Sequence, residues 1–266
     1  MAAGNLSACA LRGLPEVRAG DDLGVLIVAA LRDTRPPLAL DDGQIVVIAH
    51  KAVSKAEGSI VTLADVTPSP RARELASAQN KDPRAVQVVL DQSAEIVRAE
   101  RYVLICRTHH GFLCANAGVD ASNASGKGET DGTGAGGTLI LLPRDPDASA
   151  RDLRARLHEL TGARVAVLIT DSFGRAWRHG QCDVTIGCAG MTPLEDWRGR
   201  TDATGMQLRA TWLAVADAAA ATADLARAKD SREPVVIMDG LERFVTDEDG
   251  PGAAALIRPL AEDLFQ

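Results

Sequence analysis

Four side chains that carry oxygen atoms follow an apolar segment near the middle of the chain. Asn116, Asp120, Ser122 and Asn123 all follow the apolar residues 113–114 within a short span. The residues between them are mostly glycine and alanine, so the backbone can approach a ligand closely while a carboxylate and amides point at it. An Asx-rich turn after a strand has the same composition. The stretch therefore indicates either a ligand site or such a turn.

A second carboxylate follows another apolar segment. Asp171 and Ser172 come directly after residues 164–170, which have the pattern of a buried strand. A carboxylate beside a hydroxyl at a strand end can hold Mg²⁺ or Mn²⁺ through oxygen ligands, although Asp171 could also simply cap a turn. Because Asp120 stands in a similar setting, two carboxylates on neighbouring elements predict a divalent cation that bridges phosphate oxygens. Arg175 and Arg178 could then neutralise developing charge.

Two lysines lie where a phosphorylated ligand would need positive charge. Lys51 and Lys55 follow the continuous, β-branched run 45–49, which predicts a buried strand. The carboxyl end of such a strand is where α/β folds place ligands, so both ammonium groups are candidate phosphate contacts. The alternative is two solvated surface lysines.

The remaining patterns indicate an α/β protein. Strand patterns recur at 6–14, 45–49, 95–97, 102–106, 112–114, 139–142, 164–170, 183–188 and 235–238. Helices are predicted directly after the N-capping residues Asp21-Asp22, Ser69, Asp82 and Asp145. Residues 53–58 are predicted to form a turn. An Ala-rich pattern predicts a long helix over 204–229, in which Asp217 could point at the site but is expected to face solvent. Residues 253–265 are predicted to form a helix that Pro259 interrupts.

Composition and charge limit the classes of function. The net charge of −7 and the pI near 5.3 argue against a broad nucleic-acid or membrane-surface interface, which needs a basic face. Five cysteines without a CxxC pair predict reduced thiols in a cytoplasmic protein. We expect neither a signal peptide nor a membrane helix, because no apolar run approaches about 20 residues. At 266 residues the chain could form one large domain or two small ones.

Glycine recurs through residues 124–137. Its last part, 132–137, formally fits the GxGxxG pattern. A dinucleotide fingerprint needs a strand before it and a helix after it, whereas here a polar loop precedes the pattern and a predicted strand follows it. We therefore expect residues 124–137 to be an insertion without a nucleotide-binding role.

Taken together and in order, seven segments resemble the coenzyme F420-0:γ-glutamyl ligase family. They are residues 13–17, 20–23, 53–58, 116–123, 142–147, 169–175 and 196–200. The resemblance implies a mixed-sheet α/β fold in a single domain over 1–266, with the insertion at 124–137. It also implies an intertwined homodimer.

The resemblance further implies a ligase that depends on GTP and on Mg²⁺ or Mn²⁺, and it raises the question of a K⁺ requirement. Such an enzyme would activate the terminal carboxylate of F420-0, or a related precursor, as an acyl phosphate. The amine of L-glutamate would attack it, and repetition would extend a γ-linked glutamate tail. The form of the precursor and the length of the tail stay open.

The family's functional residues can be carried over by matching position. The implied GTP contacts are Leu14, Pro15, Glu16, Val17, Lys51, Lys55 and Asn123. The implied metal ligands are Asp120, Asp171 and Ser172. Asp120 and Asp171, together with Arg175, are the predicted catalytic residues. No nucleophilic side chain is needed, because phosphate itself activates the carboxylate.

Three segments depart from the family pattern. Residues 124–137 are longer than the usual link after the Asn123 motif, and residues 204–207 replace a more usual aromatic-Gly-x-Glu pattern. Residues 225–232 lack the glycines often found there, and Lys229 stands near a position where some relatives have an acidic metal ligand. The ligand set of a second metal is therefore left open.

Three other functions are compatible with the same residues. A related enzyme could use the site on a different carboxylate acceptor, because pocket shape sets acceptor specificity. A regulatory protein could bind a nucleotide without catalysis, although pure binding needs no paired carboxylates. A metal-dependent phosphohydrolase would need a water-activating base beside the metal, and the sequence offers no clear one.

Overall fold

Strands and helices share the chain, as the sequence predicts. The computed structural model describes residues 5–120 and 137–263. Within these ranges the strands are Ser7–Ala10 (β1), Ile45–Ala49 (β2), Ile60–Thr62 (β3), Ser93–Glu100 (β4), Val103–Thr108 (β5), Leu113–Ala115 (β6), Thr138–Ile140 (β7), Ala166–Arg175 (β8), Arg178–Ala189 (β9), Leu194–Asp196 (β10), Trp212–Ala214 (β11) and Val235–Asp239 (β12). The α-helices are Leu23–Asp33 (α1), His50–Ala56 (α2), Pro70–Gln79 (α3), Pro83–Asp91 (α4), Pro146–Thr161 (α5) and Val215–Ala226 (α6).

The central sheet is mixed, which confirms the expected α/β architecture. Its strands lie in the order β1-β12-β2-β8-β9, and only β2 and β8 are parallel neighbours. The β-branched residues 45–48 are completely buried, as a strand covered on both faces requires. The register pairs Ala49 with Thr170. The chain therefore leaves β2 at the same edge of the sheet where the buried part of β8 ends.

Helices cover both faces of this sheet because successive strand residues point to opposite sides. On one face Val46 and Ile48 pack in a cluster with α1 and α5. On the other face Val47 packs with alanines of α6, including Ala219. These small side chains let α6 lie close to the strands.

The segment from α3 to β6 forms a second packed unit. Ser69 and Asp82 cap α3 and α4 by accepting hydrogen bonds from the backbone nitrogens of Ala72 and Arg84, at 3.2 Å and 2.8 Å. A proline follows each cap at the first helical position. The two helices pack around Leu104 on the antiparallel sheet β4-β5-β6. β3 and β7 form a separate antiparallel pair.

Two of the predicted elements are wrong. Residues 53–58, predicted as a turn, belong largely to α2, where Val53 is buried in the core. The long helix predicted over 204–229 is confined to α6, because residues 212–214 are extended and pair with β10. That cross-strand pairing outweighs the helix propensity of the alanines. Trp212, the first residue of β11, is 49% exposed.

The end of the described chain is less helical than predicted. Only the short 3₁₀ turns Ala253–Leu256 and Leu260–Glu262 form in the segment predicted as helical. Pro259 precedes the second turn and cannot donate the hydrogen bond that a continuing helix needs. Across residues 5–120 and 137–263, every helix is too short or too polar to cross a bilayer.

Candidate functional site

The ends of β2 and β8 bring His50 and Asp171 together. Because Ala49 and Thr170 are register partners, the residues that follow them lie side by side at this edge of the sheet. His50 Nε2 is 3.3 Å from Asp171 Oδ1, without an aligned hydrogen bond among the described residues. The imidazole is 2% exposed and the carboxylate 16%. Asp171 therefore rests on a buried ring while staying accessible to a ligand.

Asp120 contacts Lys51, the residue that follows His50 in helix α2. Its backbone forms an isolated antiparallel bridge with Ile140, with N···O distances of 3.0 Å and 2.8 Å. Its Oδ2 lies 2.5 Å from Lys51 Nζ. Since His50 and Lys51 are consecutive residues at the start of α2, the two predicted carboxylates meet adjacent side chains of one helical turn.

Ser172 is held by a buried carboxylate. Its Oγ donates to Asp183 Oδ1 at 2.5 Å, while Thr170 Oγ1 and Arg227 Nη2 donate to Asp183 Oδ2 at 2.9 Å and 2.5 Å. Asp183 is 2% exposed and Arg227 is 9% exposed. Burial by itself would raise the pKa of Asp183, but the hydrogen bond from Ser172 and the charge of Arg227 hold that pKa below its usual range.

Lys229 occupies the outer side of Ser172. Its Nζ donates to Ser172 Oγ at 2.8 Å and to Asp224 Oδ1 at 2.9 Å. Because the hydroxyl gives its one hydrogen to Asp183, its lone pairs are left for the ammonium group. Some relatives have an acidic residue near the position of Lys229. In this chain the position instead brings a positive charge to within hydrogen-bond distance of Ser172, a predicted metal ligand.

The loop between β1 and α1 carries the other predicted nucleotide contacts. Lys55 on α2 forms an ion pair with Glu16 of this loop. Lys51 lies one helical turn earlier, so α2 presents both predicted phosphate contacts. Pro15 and Glu16 are exposed, Leu14 is partly buried and Val17 is buried.

Two predicted residues are not seen in this group. Arg175 lies four residues beyond Asp171 on β8, about 13 Å along an extended strand. Its Nη2 donates to His179 O at 2.8 Å. Asn123 and nearly all of the predicted insertion 124–137 lie outside the described residues. The catalytic role of Arg175 and the nucleotide contact of Asn123 stay predictions.

The sequence is similar to known proteins over most of its length. A family model described as F420-0:Gamma-glutamyl ligase matches residues 13–240. The chain belongs to the F420-0:gamma-glutamyl ligase family. A relative from Methanothermobacter thermautotrophicus, named Coenzyme F420:L-glutamate ligase, is 40% identical over 98% of this chain and 99% of its own length. Relatives of the same name from Methanopyrus kandleri and Methanocaldococcus jannaschii are 42% and 41% identical, over 94% and 85% of this chain and 94% and 86% of their own lengths.

Some residues of this F420-0:gamma-glutamyl ligase site were missed in the sequence. His50 could have been found, because it directly follows the buried strand β2, where ligands are expected. Asp183 and Arg227 carry no local signal, since the residues are 44 positions apart and meet only through the fold. The prediction that Asp217 faces solvent is wrong. It accepts a hydrogen bond from Thr185 N at 2.9 Å, and burial raises its pKa.

The donor set in this F420-0:gamma-glutamyl ligase fits Mg²⁺ or Mn²⁺. Among the described residues, no three His, Cys, Asp or Glu side chains come together as a metal site. The site instead offers two carboxylates and the Ser172 hydroxyl, and Mg²⁺ commonly rests on one or two carboxylates with waters and substrate phosphates. The ammonium groups of Lys51 and Lys229 contact Asp120 and Ser172 in this structure. The oxygen donors therefore suit a hard divalent cation that would take the place of these ammonium groups.

Proposed function

We propose that this chain is a GTP-dependent ligase that joins L-glutamate to coenzyme F420-0. The observation that carries the proposal is the 40% identity to a relative named Coenzyme F420:L-glutamate ligase, over 98% of the chain. The candidate site supports it, because the carboxylates of Asp171 and Asp120 stand beside His50 and the cation of Lys51 at one sheet edge. Nucleotide-dependent activation of a carboxylate needs both kinds of charge.

The reaction divides into two steps. A terminal carboxylate oxygen of F420-0 attacks the γ-phosphorus of GTP, the bond to the GDP oxygen breaks, and an acyl phosphate forms. The glutamate amine then attacks the acyl carbon, loses a proton to solvent, and inorganic phosphate leaves as the amide bond forms. Repeating both steps on the product would extend a γ-linked tail.

The residues of the site would bind and orient the reactants. Lys51 and Lys55 would exchange their ion pairs with Asp120 and Glu16 for contacts to phosphate oxygens. Asp120, Asp171 and Ser172 would hold Mg²⁺ or Mn²⁺, which when bound neutralises charge on the phosphates. Asp183 would keep the Ser172 hydroxyl turned inward, so that the serine lone pairs face the ligand. Positioning and charge are the main contributions that phosphoryl transfer requires of a protein.

A covalent enzyme intermediate has no place in this scheme. Cys114 lies near Asp171, and burial, with a further contribution from the charge of that carboxylate, raises the pKa of the thiol to about 12. The thiol is therefore protonated at neutral pH and is a weak nucleophile. Transfer of phosphate directly to the substrate carboxylate avoids the need for an enzyme nucleophile.

Mass spectrometry of a reaction with F420-0, L-glutamate, GTP and Mg²⁺ or Mn²⁺ tests the proposal. We expect a product one glutamyl unit heavier, formed together with one GDP per bond and absent when GTP is omitted. GTP consumption without the heavier product would point to another acceptor on the same machinery. A folded protein that shows neither would contradict the proposal.

The homodimer and the K⁺ requirement stay predictions. Light scattering would test the homodimer, and omission of K⁺ from the assay would test the K⁺ requirement.

Replacing Lys229 tests whether its ammonium group acts as a built-in cation beside Ser172. Under the proposed function we expect Lys229→Gln to lower kcat by about tenfold, because one positive charge near the phosphates is lost from an accessible, partly screened position. Steady-state rates at saturating Mg²⁺ measure this effect. Lys229→Arg keeps the charge and should retain most of the activity. An unchanged kcat with a lower Mg²⁺ requirement would show that Lys229 merely competes with the metal.

A further inference from the structure

Lys81 differs from the other lysines of the described chain. Lys51, Lys55 and Lys229 each contact a carboxylate. Lys81 Nζ instead donates to the amide oxygen of Asn116 at 2.8 Å, and within residues 5–120 and 137–263 no carboxylate lies at ion-pair distance from it. The side chain is partly buried directly after α3. Its positive charge is therefore neutralised by no described side chain.

Burial makes the charged form of Lys81 less favourable, and its pKa reflects this. Burial lowers the pKa of Lys81, with the nearby thiol of Cys106 acting in the other direction. A lysine that loses water without gaining a carboxylate is stabilised by any anion that binds beside it. The backbone nitrogen of Lys81 donates to Ala76 O at 3.0 Å, which fixes the residue at the end of α3. The backbone is thus fixed, and the hydrogen bond to Asn116 sets the position of the ammonium group.

Asn116 adds a second donor at the same place. An ammonium group has no acceptor, so the amide atom facing Lys81 must be Oδ1, which leaves Nδ2 on the other side of the amide. Nδ2 makes no hydrogen bond to the described residues. Asn116 and Ala117 both have positive φ angles, 52° and 54°, and Gly118 follows at 71°. Left-handed backbone at non-glycine residues is costly and tends to be retained where it positions a functional group.

The position of this pair separates it from the predicted nucleotide contacts. Lys51 and Lys55 lie on α2 at the edge of the central sheet, whereas Lys81 belongs to the unit formed by α3, α4 and the sheet β4-β5-β6. Asn116 stands only four residues before Asp120, which contacts Lys51. Lys81 and the lysines of α2 therefore belong to different parts of the fold, with the segment from Asn116 to Asp120 contacting both.

We propose that Lys81 and Asn116 bind an anionic group, a carboxylate or a phosphate, of the acid substrate that the ligase extends. The assignment rests on the proposed function, in which the acceptor is a polyanion and GTP uses the cations of α2. Charge from Lys81 and a hydrogen bond from Asn116 Nδ2 then hold the acceptor beside Asp120, so Lys81 is a specificity residue for the acceptor and not for the nucleotide.

Titration calorimetry and kinetics with Lys81→Gln test this assignment. Gln keeps a hydrogen-bond donor for Asn116 but removes the charge. We expect the Kd and KM for F420-0 to rise at least tenfold, which is the usual weight of a charge-assisted contact, while KM for GTP and for L-glutamate stays within about twofold. Lys81→Arg should recover most of the affinity for F420-0. Arg73→Gln, which removes an exposed charge from α3, is the matched control and should change none of these values.

The possible outcomes separate the two proposals. If wild type binds and glutamylates F420-0 and Lys81→Gln does so equally well, the assignment of Lys81 is wrong and the proposed function stands. If the KM values of all three substrates rise together with a lower melting temperature, Lys81 only supports the turn at 116–118 and the assignment is again wrong. If wild type neither binds nor glutamylates F420-0, the proposed function fails and the assignment fails with it.

Discussion

Asp171→Asn and Asp120→Asn should each lower the kcat of ligation by roughly 10³-fold, because each removes one of the two carboxylates proposed to hold the divalent cation. Asn keeps the size of Asp but loses its negative charge, so the cation would be bound more weakly and the phosphate charge neutralised less well. The effect is measured as the rate of glutamylated product at saturating GTP and F420-0. Electron paramagnetic resonance of Mn²⁺ would report the loss of metal binding without turnover.

Protein stability separates a site effect from unfolding in these two variants. The side chains of Asp171 and Asp120 are partly accessible, at 16% and 29%, and the amide oxygen of Asn can still face the buried ring of His50 and the ammonium group of Lys51. We expect melting temperatures close to that of wild type. Asp247→Asn removes a carboxylate that is 84% exposed and should leave both activity and Mn²⁺ binding unchanged. Full activity of either site variant would rule out the proposed carboxylate pair.

The sequence predicts the elements of the site better than the contacts between them. Apolar runs at 45–49 and 164–170 identify β2 and most of β8, because buried parallel strands carry continuous hydrophobic residues. The N-caps Asp22, Ser69, Asp82 and Asp145 are all confirmed by side-chain acceptors at the helix starts. These features depend on neighbouring residues alone. A local pattern is therefore sufficient to predict them.

The errors arise where tertiary contacts decide the local structure. Residues 204–214 have helical composition, but pairing with β10 draws residues 212–214 into a strand. The turn predicted at 53–58 becomes helix because Ala52 and Val53 have a core to pack into. Composition contains no information about either partner. Predicting these segments would require the position of elements that are distant in the sequence.

The site shows the same division. Asp120, Asp171 and the two lysines of α2 stand at strand and helix ends, where the pattern itself points to a ligand. Arg175 lies on the same strand as Asp171, β8. Because β8 continues beyond its buried part, Arg175 lies far from Asp171 at the end of that strand. The support behind Ser172 is also invisible in the sequence, because Asp183 lies on the neighbouring strand β9 and Arg227 directly after α6. The buried ion pair between them joins three elements beneath the candidate metal ligands.

Removing the charge of Asp183 should destabilise the folded protein by about 3 kcal/mol, because it leaves the buried guanidinium of Arg227 with only the longer contact to Asp224, at 3.8 Å, as a counter-ion. One oxygen of Asp183 accepts from Thr170 and Arg227, and the other accepts from Ser172. Asn offers a single acceptor, so its NH₂ group must face at least one of these donors. For a chain of this size we expect Asp183→Asn to lower the melting temperature by roughly 6–12 °C.

The pH dependence gives a second, independent signature of the same ion pair. Because the pKa of Asp183 is held below its usual value in the fold, its contribution to stability is complete at neutral pH and is lost as the pH falls through the folded-state pKa. The difference in unfolding free energy between wild type and Asp183→Asn should therefore be constant above about pH 5 and shrink below about pH 4. Chemical denaturation at several pH values measures it.

Two further variants distinguish the buried pair from charge loss in general. Asp42→Asn breaks the exposed pair with Arg164, in which both side chains are more than half exposed, and should change the melting temperature far less. Adding Arg227→Met to Asp183→Asn removes the cation that has lost its nearest counter-ion and should recover part of the lost stability. If Asp183→Asn instead melts like wild type, Arg227 must find another acceptor. Asp224 is the first candidate, because its Oδ1 already lies 3.8 Å from Arg227 Nε.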